Sequence, residues 1–576
     1  MFSNLKLSTA LALVAISTKN LILILTSPAT VEEEEPPTSR ISSQVLFPTF
    51  LVGIYASIKI YDFFIYPFFR SPLRHLPGPK NNHPLLGQEL QKFLSPTPTS
   101  LYLAWSRQWP DAPFIRHLSV GNSEKLLVNS LEAHREVLQT KCYSFVKPAF
   151  FTRLVGEIVG KGLLFAEGEE HRRERRLLSG PFSLANLKKL LPIFQTEAQN
   201  LSTDIANILS SSDSASNSGP VEVSAPLSKA TLRIIGVTAL GAELGDPKLS
   251  TTFHECYHRI FEQDLLGNAI MAINAFVPIR WLLGRVEANR KFVRANTDIR
   301  ELIRGVIRER IAEVGGRKGG GAGEGVKGVR ERKDLLTYMI EQGNVMGEAW
   351  SEEEILGHLL NFVAAGHETT ALATVWAIYV LATRQDIQTR LRAEITQLLT
   401  QTPTAPGYTE IESLHYLHNF CREVLRVYSP FHHINQTLPP PAAVDMPREA
   451  AEDVLVAGVL VPKGTAISIC PQVMHSQGHI WGGDAAAFDP DRWDRLVGEQ
   501  ASPYALESFS NGPRICIGKA FGMLEFKVLV VEVVGKWRVG GLVGDGEGGV
   551  EVLNPSVTLR PRGGLEVFME RVEPGE

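Results

Sequence analysis

Cys516 lies in the stretch FSNGPRICIG, residues 509–518, among two glycines, a proline and an arginine. The chain has only five cysteines, widely spaced and without a CxxC pair, so a disulfide framework is not expected. The loop runs into an apolar segment with helical character, where backbone N–H groups and the helix dipole should lower the pKa of a thiol. A shielded thiolate of this kind suits coordination of haem iron. A buried structural cysteine and a nucleophile with a histidine base are the alternatives.

The stretch AAGHETT, residues 364–370, combines small residues with an acid and an alcohol. Glu368 and Thr369 form a pair that can pass protons, and Thr369 can bond a carbonyl one turn back along a helix. Gly366 would leave room for a ligand against the helix backbone. The alternative is an ordinary helix with a buried face of small residues and an exposed glutamate.

Two other groups of charged residues precede Cys516 in the chain. HRRERR at 171–176 places four arginines in five residues, which alone fits a solvated basic face. Glu423 and Arg426 lie one helical turn apart in EVLR, and Arg492 follows in FDPDRW. An i,i+3 ion pair is common on helix surfaces and by itself identifies no function.

Taken together, these motifs resemble the cytochrome P450 monooxygenases. Every fixed position of the family's haem-thiolate signature, F-x-x-G-x-R-x-C-x-G, is present in residues 509–518. The resemblance runs from LPGP at 76–79 to TLRPRGG at 558–564 and is closest to membrane-anchored fungal members. It implies a haem b whose iron is ligated by Cys516. It also implies haem contacts from His171, Arg175, Phe509, Gly512, Arg514 and Gly518.

The resemblance assigns roles to the other motifs as well. Glu368 and Thr369 would be the catalytic pair that delivers protons to dioxygen. In the family motif W-x-x-x-R, His171 replaces the tryptophan and Arg175 keeps the arginine, which leaves Arg172, Arg173 and Arg176 to a surface where an acidic reductase could dock. The structural triad behind the haem would be formed by Glu423, Arg426 and Arg492.

One departure from the family pattern concerns the haem propionates. Many relatives carry an arginine downstream of the Glu-x-x-Arg pair, and the matching position here is about Gln436. The propionates are therefore expected to rest on Arg514, Arg175 and His171, with His432 or His433 as further candidates. Substrate contacts are expected around 145–165, on the central helix and in SPFHHI at 429–434, with these named residues: Phe362, Ala365, Gly366, Phe431, His432 and His433.

The elements that must position these residues are mainly helical. Helix-period patterns dominate residues 81–430, and the strand-like runs KLLVNS, VLVAGVLV and TAISIC, at 125–130, 454–461 and 465–470, are the minority. The predicted fold class is mainly α with small β-sheets, the cytochrome P450 fold. Surface loops are expected at the polar stretch 210–219 and the Gly-rich stretch 315–328, and a second Gly-rich stretch lies at 540–549.

The N-terminal region favours a membrane. Residues 45–69 are apolar and long enough for a transmembrane helix, with basic residues after them and acidic residues before them, and residues 7–27 form a second, weaker segment. A buried core helix is the alternative for 45–69. The predicted organisation is an anchor region at 1–75 and a catalytic domain at 76–576, which the positive-inside bias places in the cytosol. The resemblance implies that the membrane is that of the endoplasmic reticulum.

The predicted function is insertion of one oxygen atom from O2 into a mostly hydrophobic small molecule, a secondary-metabolite intermediate. No flavin or nicotinamide fingerprint is present, so NADPH electrons would arrive through a separate cytochrome P450 reductase. The net charge of −4 and the scattered basic residues give no indication of nucleic acid as a partner. A same-fold enzyme that rearranges hydroperoxides, and a non-catalytic haem-binding protein, are the alternatives.

Overall fold

The structure is a computed structural model that describes residues 43–95, 98–211, 218–241, 247–261, 263–319, 334–346, 350–402, 405–429, 446–544, 550, 552–553, 558 and 560–572. Phe431, His432, His433, Gln436 and the segment 7–27 lie outside these residues.

Helices provide most of the described fold. Their bounds are α1 Ser43–Ile60, α2 Glu89–Leu94, α3 Pro98–Gln108, α4 Leu131–Arg135, α5 Ala149–Val159, α6 Gly168–Leu178, α7 Leu184–Ser211, α8 Ser224–Leu240, α9 Pro247–Phe261, α10 Leu265–Phe276, α11 Glu287–Gly319, α12 Leu335–Met346, α13 Glu352–Thr383, α14 Gln385–Gln401, α15 Tyr408–Ser413, α16 His415–Val427, α17 Pro471–Ser476, α18 Gly478–Trp481 and α19 Lys519–Lys536. Two π-helical segments, Tyr61–Arg70 and Glu136–Thr140, add to these.

Twelve described strands form small sheets: β1 Phe114–Leu118, β2 Glu124–Val128, β3 Phe145–Val146, β4 Ser218–Glu222, β5 Met446–Ala450, β6 Val454–Val456, β7 Val459–Val461, β8 Ala466–Ile469, β9 Trp537–Leu542, β10 Val552–Leu553, β11 Arg560–Pro561 and β12 Glu566–Arg571. One sheet has five strands in the order β1-β2-β8-β5-β3, with β2 and β8 parallel. Another has the order β4-β12-β9, and the pairs β6-β7 and β10-β11 complete the set. The prediction of a mainly α fold with small sheets is confirmed.

Three local predictions need correction. The loop expected at 210–219 is shorter, because α7 continues to Ser211 and β4 begins at Ser218. VLVAGVLV is a hairpin of β6 and β7 rather than one strand, because Ala457 and Gly458 adopt positive φ angles of 44° and 75° and reverse the chain. The Gly-rich stretch that starts at residue 315 does not begin as a loop, since α11 continues to Gly319.

Helix α13 is the centre of the main core. It begins at a capping box in which the Ser351 hydroxyl accepts from the Glu354 backbone and the Glu354 carboxylate accepts from the Ser351 backbone. Its 32 residues span about 48 Å. Apolar side chains of α7, α8, α16 and α19 pack around it in one continuous cluster, so α13 holds fixed the motif AAGHETT that it carries.

Helix α1 and the π-helical segment after it contain a candidate membrane span, Phe50–Arg70, of 21 residues. Only 6% of its apolar window is buried, and large apolar side chains such as Val52 and Ile60 are exposed. A core helix at 45–69, the alternative prediction, would bury such side chains, and it is therefore wrong. One span of this kind is consistent with a membrane anchor.

Candidate active site

The loop that carries Cys516 is closed by its own backbone. The N–H of Cys516 donates to the Phe509 carbonyl at 2.8 Å, and a 3₁₀ turn at Gly512–Arg514 lies between them. Helix α19 begins three residues after the cysteine, at Lys519. The four other cysteines of the chain are buried, whereas the Cys516 side chain is exposed. Its sulfur therefore borders open space.

Gly512 is required by its own conformation and by a neighbour. It has a φ of 69°, a region that other residues rarely adopt, and an added Cβ would overlap the Leu138 carbonyl. At Gly518 an added Cβ would lie 3.9 Å from the Cys516 sulfur and 3.9 Å from the Phe182 ring. The described atoms thus give Gly512 a packing role against residues 138–139, while Gly518 brings backbone close to the sulfur.

The pKa of the Cys516 thiol is raised, not lowered as expected from its place before a helix. Burial is the largest cause, although the Gly518 N–H, Arg175 and Lys519 act in the opposite direction. Withdrawal from bulk water disfavours the anion more than these partners favour it. An exposed sulfur that is nevertheless desolvated indicates that the open space beside it is enclosed by protein. A thiol there needs a cation to become a stable thiolate.

The burial of α13 is interrupted at the predicted motif. From Ile355 to Ile378 every residue is buried except five, and all five belong to AAGHETT: Ala364, Ala365, Gly366, Glu368 and Thr369. Ala365 is exposed, in the middle of a helix that is otherwise surrounded by core. An added Cβ on Gly522 of α19 would lie 3.7 Å from Thr370 Oγ1. Helix α19, which follows the cysteine loop, therefore packs on α13 at the AAGHETT motif.

The hydroxyl of Thr369 donates to the Ala365 carbonyl at 2.6 Å, one helical turn back, as the sequence predicts. The lone pairs of Thr369 Oγ1 remain available as acceptors. Glu368 is half-buried and lies close enough to Tyr257 of α9 to raise the pKa of that phenol, which burial raises most. The acid and the alcohol are therefore brought to the same exposed section of α13.

Two of the expected substrate contacts face protein instead. An added Cβ on Gly366 would lie 2.8 Å from the Ile235 side chain of α8, so this glycine allows α13 and α8 to approach closely. Phe362 is buried against the Phe182 ring, with 5.4 Å between centroids. Ala365 is exposed as expected. Phe431, His432 and His433 are outside the described residues.

A cluster of cations lies at the other side of the cysteine loop. Arg514 pairs with Glu167, and its NH1 donates to the Ala166 carbonyl at 3.1 Å. Lys147 donates to Glu167 as well, at 3.1 Å, and its pKa is lowered to about 8 by burial and by Arg448. Burial and Arg514 lower the pKa of Arg448, on β5, to about 10. Arg514 and Lys147 thus pair with the Glu167 carboxylate, and Arg448 lies close enough to interact with its charge.

Arg448 is the residue that the sequence prediction missed. The sequence predicts the family arginine near Gln436, but residues 437–445 separate that position from β5, and Arg448 comes after them. Arg448 lies in MPREA on β5, which pairs with β8, and it is close enough to Arg514 and Glu167 for their charges to interact. It is the next arginine after Arg426 in the sequence, and that order is the signal that could have found it.

His171 and Arg175 both lie near this cluster on α6. Tyr143 OH and His171 Nδ1 are 3.1 Å apart. Burial, together with Arg514 and Lys147, lowers the pKa of His171 to about 4, so its ring is neutral at pH 7. Arg175 is half-buried and close enough to Cys516 for their charges to interact, while Arg172, Arg173 and Arg176 are exposed.

These residues fit a haem. Lys147, Arg448 and Arg514 exceed Glu167 by two positive charges, which two propionates would neutralise. Among the described residues, Nε of Arg514 is buried without a hydrogen-bond partner, as expected for a donor whose acceptor is a bound anion. On the other side of the loop, the Cys516 sulfur faces enclosed space. A flat anionic macrocycle with an iron at its centre would satisfy both.

The predicted triad is assembled behind the loop. Arg426 donates to both oxygens of Glu423, at 2.9 and 2.7 Å, and Arg492 Nε lies 3.6 Å from the same carboxylate. Arg426 also donates to the backbone carbonyls of His475, Ala485 and Ala487. All three triad side chains are buried. Their partners are structural groups, so the triad fixes the chain behind the site and does not face substrate.

A narrow apolar pocket adjoins the exposed part of α13. Its lining comes from α5, α9, α11 and α13, and its residues are Ile158, Phe253, Tyr257, Ile260, Ile299, Leu360, Val363 and Ala364. Nothing in the sequence pattern of the α9 residues distinguishes them from an ordinary amphipathic face. The pocket has room for about one water molecule, and Tyr257 in its lining lies close enough to Glu368 for their charges to interact.

Comparison with known proteins agrees with this geometry. A model of the cytochrome P450 family matches residues 77–540. The chain is 33% identical to cytochrome P450 monooxygenase sphH of Aspergillus fumigatus, over 87% of this chain and 88% of that protein. It is 30% identical to cytochrome P450 monooxygenase ALT8 of Alternaria alternata (91% and 94% covered) and 31% identical to cytochrome P450 monooxygenase FSL4 of Gibberella zeae (88% and 90% covered). The chain therefore belongs to the cytochrome P450 family and is an oxidoreductase of the monooxygenase type.

Proposed function

We propose that this enzyme inserts one oxygen atom from O2 into a hydrophobic small molecule, a secondary-metabolite intermediate, with NADPH electrons supplied by a separate reductase. The overall reaction consumes substrate, O2, NADPH and a proton, and yields the hydroxylated product, water and NADP⁺. The observation that carries the proposal is the interrupted burial of α13, where Glu368 and Thr369 border open space beside the loop of Cys516. The fungal origin of the three relatives supports the substrate class.

Each residue then has a defined task. Cys516 would ligate the haem iron, and the Gly518 N–H would stabilise the sulfur as an anion. The propionates would be held by Arg514, Arg448 and Lys147, with Arg175 and His171. When bound, the haem supplies the activation of O2 that no amino-acid side chain provides. Thr369 Oγ1 can accept a hydrogen bond, because its own hydroxyl proton is donated to the Ala365 carbonyl. Glu368 takes up and releases protons at its carboxylate.

The same proposal covers the membrane location of the enzyme and the surface that its reductase would bind. Residues 1–75 anchor the chain in the endoplasmic reticulum membrane, and residues 76–576 form a catalytic domain in the cytosol. The exposed arginines Arg172, Arg173 and Arg176 present positive charge to an acidic reductase.

The test is reconstitution of the purified enzyme with a fungal P450 reductase, NADPH and O2, while a panel of hydrophobic fungal metabolites is screened for product by mass spectrometry. We expect substrate-dependent NADPH consumption and a product heavier by one oxygen atom, labelled when ¹⁸O2 is used. In Thr369→Ala, more hydrogen peroxide should be released per NADPH, because proton delivery fails. Turnover of lipid hydroperoxides without NADPH, with no oxygenation of any compound, would instead support hydroperoxide rearrangement.

A further inference from the structure

Two buried titratable side chains face each other beside the start of the cysteine loop, residues 509–518: His134 of α4 and Glu507, here called the His–Glu pair. His134 Nε2 lies 3.5 Å from Glu507 Oε2, and both side chains are fully buried. Among the described residues, neither Glu507 oxygen nor His134 Nε2 makes a hydrogen bond to any other group. A small side-chain rotation would shorten their separation to hydrogen-bond length, so each can satisfy the other.

The position of one proton in the His–Glu pair follows from the other nitrogen of the ring. His134 Nδ1 lies 2.9 Å from the Ser130 carbonyl, which can only accept, so Nδ1 carries a proton. In the neutral ring, Nε2 is then an acceptor that faces a carboxyl oxygen. Two acceptors repel each other, so a proton must lie between them. Burial raises the pKa of Glu507 and lowers that of His134 to about 4, which places this proton on the carboxyl group.

The backbone of Glu507 leads directly into the cysteine loop. Its N–H donates to His475 Nε2 at 2.8 Å, and its carbonyl accepts from the Ser510 N–H at 2.9 Å. Ser510 has a φ of 56°, so the chain turns sharply here. Within this turn, the Phe509 carbonyl accepts from the Cys516 N–H at 2.8 Å. A displacement of Glu507 is therefore transmitted through Phe509 to the cysteine.

The element that carries His134 contacts the cysteine loop at a second point. Helix α4 passes into the π-helical segment Glu136–Thr140, and an added Cβ on Gly512 would overlap the Leu138 carbonyl of that segment. The His–Glu pair thus fixes the start of the loop, and the Gly512 contact fixes its middle. Both contacts come from one continuous stretch of helical backbone, which acts as a common support.

We propose that Glu507 is a positioning residue for Cys516: it donates a hydrogen bond to His134 Nε2 and thereby holds the cysteine loop in the conformation that keeps the sulfur at the iron. Glu507 acts through the loop and touches neither haem nor substrate. The proposal rests on the proposed function in one respect, the role of Cys516 as iron ligand, and its tests use neither NADPH nor substrate.

The first measurement is infrared difference spectroscopy of the haem-loaded, full-length enzyme, wild type minus Glu507→Gln. We expect the C=O stretching band of a protonated carboxylic acid, shifted to lower frequency in D2O, because the proton lies on Glu507. Glu499→Gln, at an exposed glutamate that precedes the same loop, should give no such band. A difference spectrum that shows only carboxylate bands for Glu507 would overturn the proposal.

The second measurement is the rate at which the red-shifted Soret band of the reduced carbon monoxide complex is lost in mild urea. Glu507→Leu and His134→Leu each leave one buried polar group unpaired, so each should lose the band about tenfold faster than the wild type. The double variant should be no faster than either single variant, because both side chains act through one bond. Multiplied effects, about a hundredfold, would show independent action and overturn the proposal.

The conservative variant for this measurement is Glu507→Gln. Its amide N–H can replace the carboxylic acid as the donor to His134 Nε2, so the rate of band loss should stay within about twofold of the wild-type rate. A Glu507→Gln enzyme that behaves like Glu507→Leu, or that does not load haem, would contradict the donor role.

The control for general destabilisation is Thr337→Val. It removes a hydroxyl from a buried cluster in which Thr337 Oγ1 accepts from Arg310 and donates to Asp334. At urea concentrations that give equal helix content by circular dichroism, Thr337→Val should lose the band at the wild-type rate and Glu507→Leu should lose it faster. Equal rates in the two variants would mean that Glu507 contributes only to overall stability.

The outcomes separate this proposal from the proposed function. A wild type without the red-shifted band would contradict Cys516 as the ligand, whereas a normal band without any NADPH-dependent product would contradict only the reaction. If the leucine variants do not load haem, the infrared spectrum and Glu507→Gln decide the proposal, with the same results for and against.

Discussion

The sulfur of Cys516 is the one cysteine sulfur that faces open space, since the four other cysteines are buried. In Cys516→Ala we expect the red-shifted Soret band of the reduced carbon monoxide complex to disappear, because no thiolate remains to ligate the iron. Cys142→Ala is the matched control. Cys142 is buried and lies near Arg514, and burial raises the pKa of its thiol. A retained band in Cys516→Ala together with a lost band in Cys142→Ala would reassign the ligand.

Arg448 is expected to be needed for binding the haem propionates, as Cys516 is for binding the iron. We expect Arg448→Gln to lower the haem content per protein several-fold, measured as the pyridine haemochrome, because one of the three cations near the Glu167 carboxylate is lost. The control is Arg176→Gln, which removes an exposed arginine from α6 and should leave haem content unchanged. Equal haem content in Arg448→Gln and the wild type would mean that Arg514 and Lys147, and not Arg448, are the cations that hold the propionates.

At the scale of elements, α6 and α13 meet at a buried acid and a buried histidine. Glu174 Oε2 lies 3.9 Å from His358 Nε2. Burial raises the pKa of Glu174 from 4.5 to about 7, and burial lowers the pKa of His358 from 6.5 to about 4. Both groups are therefore largely neutral at pH 6, and the His358 ring keeps Nδ1 free of a proton to accept from Leu163.

The sign of the resulting pH dependence follows from these values. The lowered pKa of His358 makes the contribution of His358 to stability rise with pH between about 4 and 6.5. The folded state binds a proton at Glu174 more tightly than the unfolded state does, so the contribution of Glu174 to stability falls as pH rises from about 4.5 to about 7 and stays low above 7. Glu174→Gln removes this loss. We expect its melting temperature to exceed that of the wild type at pH 8 and to approach it at pH 5. Glu169→Gln, an exposed change on the same helix, should keep the wild-type profile, and an unaltered profile in Glu174→Gln would contradict the assignment.

The sequence predicted these elements better than it predicted their contacts. The AAGHETT and cysteine-loop motifs lie where their patterns indicated, because a helix period and a Gly-punctuated turn are local properties. The partner of Gly366 is Ile235, and that of Gly512 is the Leu138 carbonyl; both come from distant parts of the chain. The prediction that the pKa of Cys516 is lowered was wrong for the same reason. Local helix geometry lowers it, but burial by the whole fold raises it more.

At the scale of the whole molecule, the candidate membrane span is attached to the folded domain by more than a flexible linker. Arg116 NH2 donates to the Pro67 carbonyl at 2.6 Å, and Asn122 Nδ2 donates to the Phe63 carbonyl at 3.0 Å. Both donors belong to the region of the β1–β2 hairpin, in the five-stranded sheet. The last turns of the span are therefore held against the domain, which would set the orientation of the domain at a membrane surface.

Ile60 lies near the middle of this span and is 55% exposed, so a charge there would face lipid if the helix crosses a bilayer. An ionised carboxylate at the centre of a span costs about 3 kcal/mol on insertion scales. We expect the full-length enzyme to remain in microsomal pellets after alkaline carbonate extraction and Ile60→Asp to move largely to the supernatant. Val497→Asp, at a side chain of the domain that is 71% exposed, should stay in the pellet with the wild type. Retention of Ile60→Asp would mean that Phe50–Arg70 is not what holds the chain in the membrane, and the anchor would then have to be sought before residue 43.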